Sequence, residues 1–254
     1  MNKTTKNIII RFSMLIGLVL FIFLGVMAKI NRESLRIREI KIDIDDKGNN
    51  FLVNKNQVLN LLHHNFELQG KILSGKDLER IEKSIQSIAQ VKNANAYIDN
   101  KGNLNIKVEQ RKPLFRVYNL QGQSFYVDEN KIKFPTTTNC SITVPIVTGI
   151  ISETCDTTNK IHGLELTRIF NTVQTINKNK TWKAMIGQYN IAPQAQIEFI
   201  PRFGDCTILF GDDNNAEQKL KQLDVFYFDV LRKVGWDYYK VINIMYKNQV
   251  VCIK

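Results

Sequence analysis

The sequence predicts an α+β chain: a single N-terminal transmembrane helix, a β-α-α-β-β module, then a mostly β domain with two helices. Three observations carry this. An uncharged run, Phe12 to Ala28, follows the cations Lys3, Lys6 and Arg11. Beyond it, apolar residues recur at every second position, switch to spacings of three and four, and return to two. After Pro113 short alternating runs dominate, broken by Gly, Asn and Asp.

Taken in order, residues 1–11 read as a basic cytoplasmic tail and 12–29 as the membrane helix. The uncharged run is short for a span, and Ile8-Ile9-Ile10 lengthen it if Arg11 snorkels. A cleaved signal peptide is the rival, with Val26-Met27-Ala28 as its cleavage site. Lys29, Arg32, Arg36 and Arg38 follow the run, so positive-inside counting does not fix orientation. The short tail favours N-inside, with the bulk outside the cytoplasm. Ser13, Gly17 and Gly25 share one face, as close-packing membrane helices do, although Phe21 interrupts it.

Residues 35–110 form the first predicted domain. Ile37 to Ile44 alternates as a strand. Asn54 caps a short amphipathic helix carrying Val58, Leu59, Leu61 and Leu62. Ser74 caps a second helix, whose Leu78, Ile81, Ile85 and Ile88 form one stripe. Val91–Ile98 and Leu104–Val108 flank Asp99-Asn100-Lys101-Gly102-Asn103, a hairpin signal with Gly102 free to take positive φ.

Residues 113–254 form the second. Phe125-Tyr126-Val127-Asp128 and Lys131–Pro135 make a hairpin, and Val144–Gly149 a short strand. Leu166 to Ile176 marks a helix, while Trp182–Ile191 and Ala195–Ile200 read as strands. Cys206–Phe210 is a strand, and a helix runs from about Asn214 to Lys233. A last hairpin, Val241–Tyr246 with Val250–Ile253, turns at Lys247-Asn248-Gln249. Between the domains, Arg111 and Lys112 are expected to keep the junction solvated, and Pro113 to stiffen it with a fixed φ.

The chemistry that is missing narrows the function. The charge of +11 suits an anionic partner, yet the cations are thinly spread without stacking aromatics, which argues against nucleic acid. No GxSxG, P-loop, GxGxxG or HExxH occurs, so no enzyme and no cofactor are expected. His63-His64 lacks companion ligands at metal spacing. Cys140, Cys155, Cys206 and Cys252 form no CxxC pair. A Cys140–Cys155 bridge would close a modest loop, and Cys206 and Cys252 fit buried thiols.

Several motifs stand in a fixed order. They are Val108-Glu109-Gln110-Arg111-Lys112-Pro113, Phe125-Tyr126-Val127-Asp128 with Pro135, Val144-Pro145-Ile146-Val147-Thr148-Gly149, Gly211 followed by Lys219-Leu220-Lys221-Gln222-Leu223, and Ile242-Asn243-Ile244-Met245-Tyr246. Together they resemble the FtsQ/DivIB family of bacterial cell-division proteins, whose first domain is a POTRA module. Two positions depart from the family pattern. Asn243-Ile244-Met245 replaces its Asp-Leu-Arg, and Lys131 replaces the glycine after the Asp128 turn.

The resemblance implies a bitopic division scaffold in the inner membrane, with its bulk in the periplasm at the septum. It implies FtsB-like and FtsL-like coiled-coil partners, recruited for septal peptidoglycan synthesis by strand addition to the final strand. Other divisome proteins would engage the POTRA-like module. The residues permit this, because a terminal strand commonly lies at a sheet edge. Ile244, Met245, Tyr246, Lys247, Asn248, Gln249, Val250 and Val251 are the expected contact set, with Tyr246 as anchor. The alternative is an inner hairpin with Tyr246 in the core. A POTRA-containing accessory of outer-membrane assembly or secretion is the runner-up function.

Overall fold

The computed structural model describes residues 14–24, 36–45, 52–137 and 140–254. The expected cytoplasmic tail, Ser13 and Gly25 lie outside them. Residues 14–24 are helical (α1), and the large apolar side chains from Met14 to Leu24 are all exposed. No helix among the described residues is long and apolar enough to cross a membrane. The expected span at 12–29 extends past the described helix at both ends.

The chain divides into two compact units, one closing at Gln110 and the other running from Arg111 to Lys254. The first contains β1 (Glu39–Asp45), α2 (Lys55–Asn65), α3 (Gly75–Gln86), β2 (Val91–Ile98) and β3 (Asn103–Gln110). The sheet order is β1-β3-β2, with β1 parallel and β2 antiparallel to β3. The local signals explain these bounds. Asn54 accepts from Asn56 N at the start of α2, and Ser74 with Asp77 forms a reciprocal capping box on α3. Gly102 takes φ +82° in the β2–β3 turn, where the Asp99 carboxylate collects the Lys101 and Asn103 amides. Val58 and Leu62 of α2 and Ile81 and Ile85 of α3 meet Leu104, Ile106 and Val108 of β3 in one core. Burying each such side chain contributes about 1.5–3 kcal/mol.

The second unit holds β4 (Pro113–Tyr118), β5 (Ser124–Asp128), β6 (Ile132–Pro135), β7 (Ile146–Gly149) and β8 (Asn159–Lys160). There follow α4 (Leu164–Asn177), α5 (Lys180–Met185), β9 (Ile186–Ala192), β10 (Gln196–Pro201), β11 (Thr207–Gly211) and α6 (Ala216–Val225). A π-helical turn, Phe226–Leu231, leads to α7 (Arg232–Val234), β12 (Val241–Asn243) and β13 (Val251–Ile253). One ten-stranded sheet takes the order β13-β12-β11-β10-β9-β7-β4-β5-β6-β8.

Three sequence expectations need correction. Trp182 does not open a strand but sits in α5, because Asn179 caps that turn by accepting from Thr181 N and Trp182 N. Its indole is buried edge-on to Tyr227 and donates to Asp224 Oδ1 at 2.5 Å. The long helix expected to Lys233 is interrupted by the π turn, which places Tyr227 and Leu231 in the core. Arg111 does not keep a junction solvated. It is largely buried and donates to Asp128 Oδ2 at 2.9 Å, and Asp128 is 1% exposed. Lys112 is exposed, and Pro113 opens β4 with a half-buried ring. The other Asp128 oxygen accepts from Asn130 N and Ile132 N, so one carboxylate fixes the β5–β6 turn and the start of the unit.

Among the described residues none of the four cysteines is bridged to another. Burial pushes the Cys155 thiol up to about 11 and raises the other three.

Candidate protein-binding edge

The C-terminal end of the large sheet is built stepwise. β12 lies parallel to β11 and β13 antiparallel to β12, with Ile242 opposite Cys252. Among the described residues β13 has no neighbour on its other side. Its side chains alternate: Cys252 turns toward the core, while Val251 and Ile253 stand exposed on the opposite face. An edge strand ordinarily carries a charge or proline that blunts it. This one presents two β-branched apolar side chains, followed by Lys254.

The segment between β12 and β13 has its own fixed points. The Ile244 amide donates to Leu209 O at 3.0 Å, and Met245 N to Asn243 Oδ1. Gly211 lies under Met245. Gly211 takes φ +83°, and a Cβ there would stand 2.8 Å from Met245 Cγ, so a larger residue would be strained and would push the Met245 side chain aside. Residues 246–249 form a turn with Asn248 at φ 58°. Gln222 of α6 holds it by donating to the carbonyls of Tyr246 and Gln249. Between α6 and this turn opens a groove of about 950 Å³. Val225, Phe226, Met245 and Tyr246 line it, and the charged residues among its described lining are Lys221, Lys247 and Lys219, the last ion-paired with Asp212 at 2.8 Å.

The expected contact set therefore falls into three places. Ile244 is fully buried, packed into the main core and unable to meet a partner. Met245 and Tyr246 are exposed in the connection and not in the strand expected of them, Lys247, Asn248 and Gln249 are exposed in the expected turn, and Val250 is half-buried. Only Val251 belongs to β13. The paired strand ends at Asn243, and one further bond in the same register, Ile244 N to Leu209 O, carries the chain on before the turn. Tyr246 is 53% exposed, which removes the alternative of a core tyrosine. Cys252 and Ile253 complete the edge and were missed. Val251-Cys252-Ile253 is uniformly apolar, so the sequence marks a strand there but not which side chains face outward.

His63 and His64 are exposed in the last turn of α2. Among the described residues no group of three or more His, Cys, Asp or Glu side chains is placed to hold a metal ion.

Comparison with protein families gives two matches. Residues 112–253 match the family described as FtsQ/DivIB, C-terminal related. Residues 36–109 match a POTRA-like domain. No individual curated protein matches the chain. The first match covers more than half the chain and includes the sheet with the open β13 edge. The chain thus belongs to the FtsQ/DivIB family of cell-division proteins, carrying a POTRA-like domain ahead of the family's C-terminal domain.

Proposed function

We propose that this protein is a bitopic divisome scaffold, anchored by its N-terminal apolar segment in the inner membrane with both units in the periplasm at the septum. It links early and late division proteins. Small FtsB-like and FtsL-like partners bind it by adding a strand to β13, and septal peptidoglycan synthesis is recruited through them. The POTRA-like domain serves other divisome contacts. It is a binding protein and not an enzyme.

The observation that carries this reading is the one-sided β13 edge with Val251 and Ile253 exposed. Backbone pairing supplies affinity in strand addition, and alternate side chains supply specificity. The adjoining groove adds apolar walls and two exposed lysines, 221 and 247, Lys219 being held by Asp212, which suits a partner segment that is apolar with acidic flanks. Tyr246 stands at its rim as an anchor.

The test is co-purification of the full chain with the FtsB-like protein of the same organism. Replacing both Val251 and Ile253 with Lys puts charge on the edge without touching the core. Tyr246→Ala removes the anchor. Both are expected to lower recovery of the partner at least tenfold while near-UV circular dichroism stays native. Unchanged recovery with natively folded variants refutes strand addition at β13.

A further inference from the structure

Two turns of the second unit meet beyond the core. Arg202-Phe203-Gly204-Asp205 follows β10 toward β11, and Val234-Gly235-Trp236-Asp237-Tyr238 runs on from the last residue of α7. Gly204, at φ +82°, packs against the Trp236 carbonyl, and the Asp205 amide donates to Asp237 Oδ1 at 3.1 Å. The two tips are thus one surface. Its apolar side chains are outward: Phe203 is 69% exposed, and Val234, Trp236 and Tyr238 are each more than 40% exposed. Trp236 is held on one side, with its ring 5.4 Å from buried Tyr227.

On or beside these turns in the chain stand Arg232, Lys233 and Lys240, with Lys254 over the Tyr238 ring and Arg202 laid against Gly187 of β9, all five exposed. Asp205 and Asp237 are the acids on the same two turns. None of the five cations is ion-paired among the described residues. Lys254 Nζ lies 4.6 Å from the Tyr238 ring centroid.

We infer that this aromatic-basic tip is a docking surface for an anionic lipid bilayer. Three features point there. Trp, Tyr and Phe bodies with Lys and Arg around them match the composition of the membrane–water interface. Phe203 and Trp236 project from turns, so they need a soft medium to enter, whereas a protein partner would need a preformed pocket for each. The unpaired cations are complementary to acidic headgroups, each worth about a fivefold gain in binding at such a surface. The inference does not depend on strand addition at β13.

The chain's tryptophans make the test direct. Trp182 is fully buried and Trp236 is not, so lipid-borne quenching reads Trp236 alone. The full chain is reconstituted in vesicles of phosphatidylcholine, with or without one-third phosphatidylglycerol, using brominated acyl chains. With phosphatidylglycerol, Trp236 emission is expected to shift to the blue and be quenched, and 0.5 M salt should reverse both. Changing Arg232, Lys233 and Lys240 to Gln should lower the ratio of docked to free domain about 100-fold. Phe203→Ser should weaken docking while leaving its salt dependence in place. Equal emission in both lipid mixtures, with excess phosphatidylglycerol vesicles also without effect, overturns the inference. So does loss of a co-purified division protein from these variants without any lipid response, which would make the tip a protein interface.

Discussion

Replacing Arg111 with Met tests what fixes the start of the second unit. The Arg111–Asp128 pair is nearly closed off, at 15% and 1% exposure, with one contact of 2.9 Å. Methionine keeps most of the apolar stem and removes the guanidinium. Asp128 would then keep the Asn130 and Ile132 amides on Oδ1 and lose its countercharge on Oδ2. Breaking a buried pair from one side costs about 3–5 kcal/mol. Two surviving N–H bonds and the partial exposure of Arg111 place this case near the lower end, about 3 kcal/mol. Both tryptophans of the chain, Trp182 and Trp236, lie in this unit, so tryptophan fluorescence during urea unfolding reports it selectively. With a slope of about 2–3 kcal/mol/M, the midpoint should fall by about 1–1.5 M. The Arg111→Met/Asp128→Asn double variant should lose less than the sum of the two single variants, since neither charge is left alone. A single-variant shift under about 0.3 M would mean that the pair is solvent-screened and that Asp128 is held by its backbone donors alone.

Other outcomes follow from the same structure. Lys131 stands at φ 64°, where the family pattern has glycine, with its ammonium 4.9 Å from the Phe170 ring. Lys131→Gly should be neutral or slightly stabilising, while Lys131→Val should cost about 1–2 kcal/mol in the same urea experiment. In the first unit, hydrogen bonds from Asn103 and Lys101 hold the Asp99 carboxyl well below its ordinary value, and Ser74 lowers Asp77. Depressed folded values mean stability that is present above the ordinary carboxylate range and lost as pH falls through it. Hydrogen-exchange protection of the first unit's amides should therefore fall below about pH 4, and that of the Asp99→Asn variant should fall less. All four thiols are raised, Cys155 to about 11, so iodoacetamide labelling of native protein at pH 8 should lag well behind that of unfolded chain.

How far the sequence could be read differs between the two units. In the first, each element announces itself locally. Asn54 and Ser74 start helices, Gly102 turns a hairpin, and the Ile81/Ile85 stripe names its buried face. The central position of β3 was not local information, because it depends on β1 returning parallel to it across both helices. In the second unit the misses share one cause. Trp182 looked like a strand residue until its ring was set against Tyr227 and its N–H against Asp224. The π turn at Phe226–Leu231 is invisible to a spacing rule, since one inserted residue shifts which side chains face inward. Arg111 looked like a solvated linker cation because Asp128, its partner, is seventeen residues away. At the candidate site, the sequence pointed to the C-terminal segment but not to how its residues divide between core, connection and edge. Ile244 went to the core, and the open edge fell on Val251 to Ile253.

Sequence alone determined the apolar N-terminal run, the order of elements in the first unit, the two-part organisation and the motifs that lead to the FtsQ/DivIB family. These rest on periodicity, capping and turn chemistry, which act over a few neighbouring residues. Tertiary structure decided which strand lies at the sheet's edge, which side of β13 faces outward, and which charges are paired. It also brought Phe203 and Trp236, far apart in the chain, onto one surface. Those outcomes depend on long-range pairing and on the competition of many side chains for one core, and no local pattern encodes either.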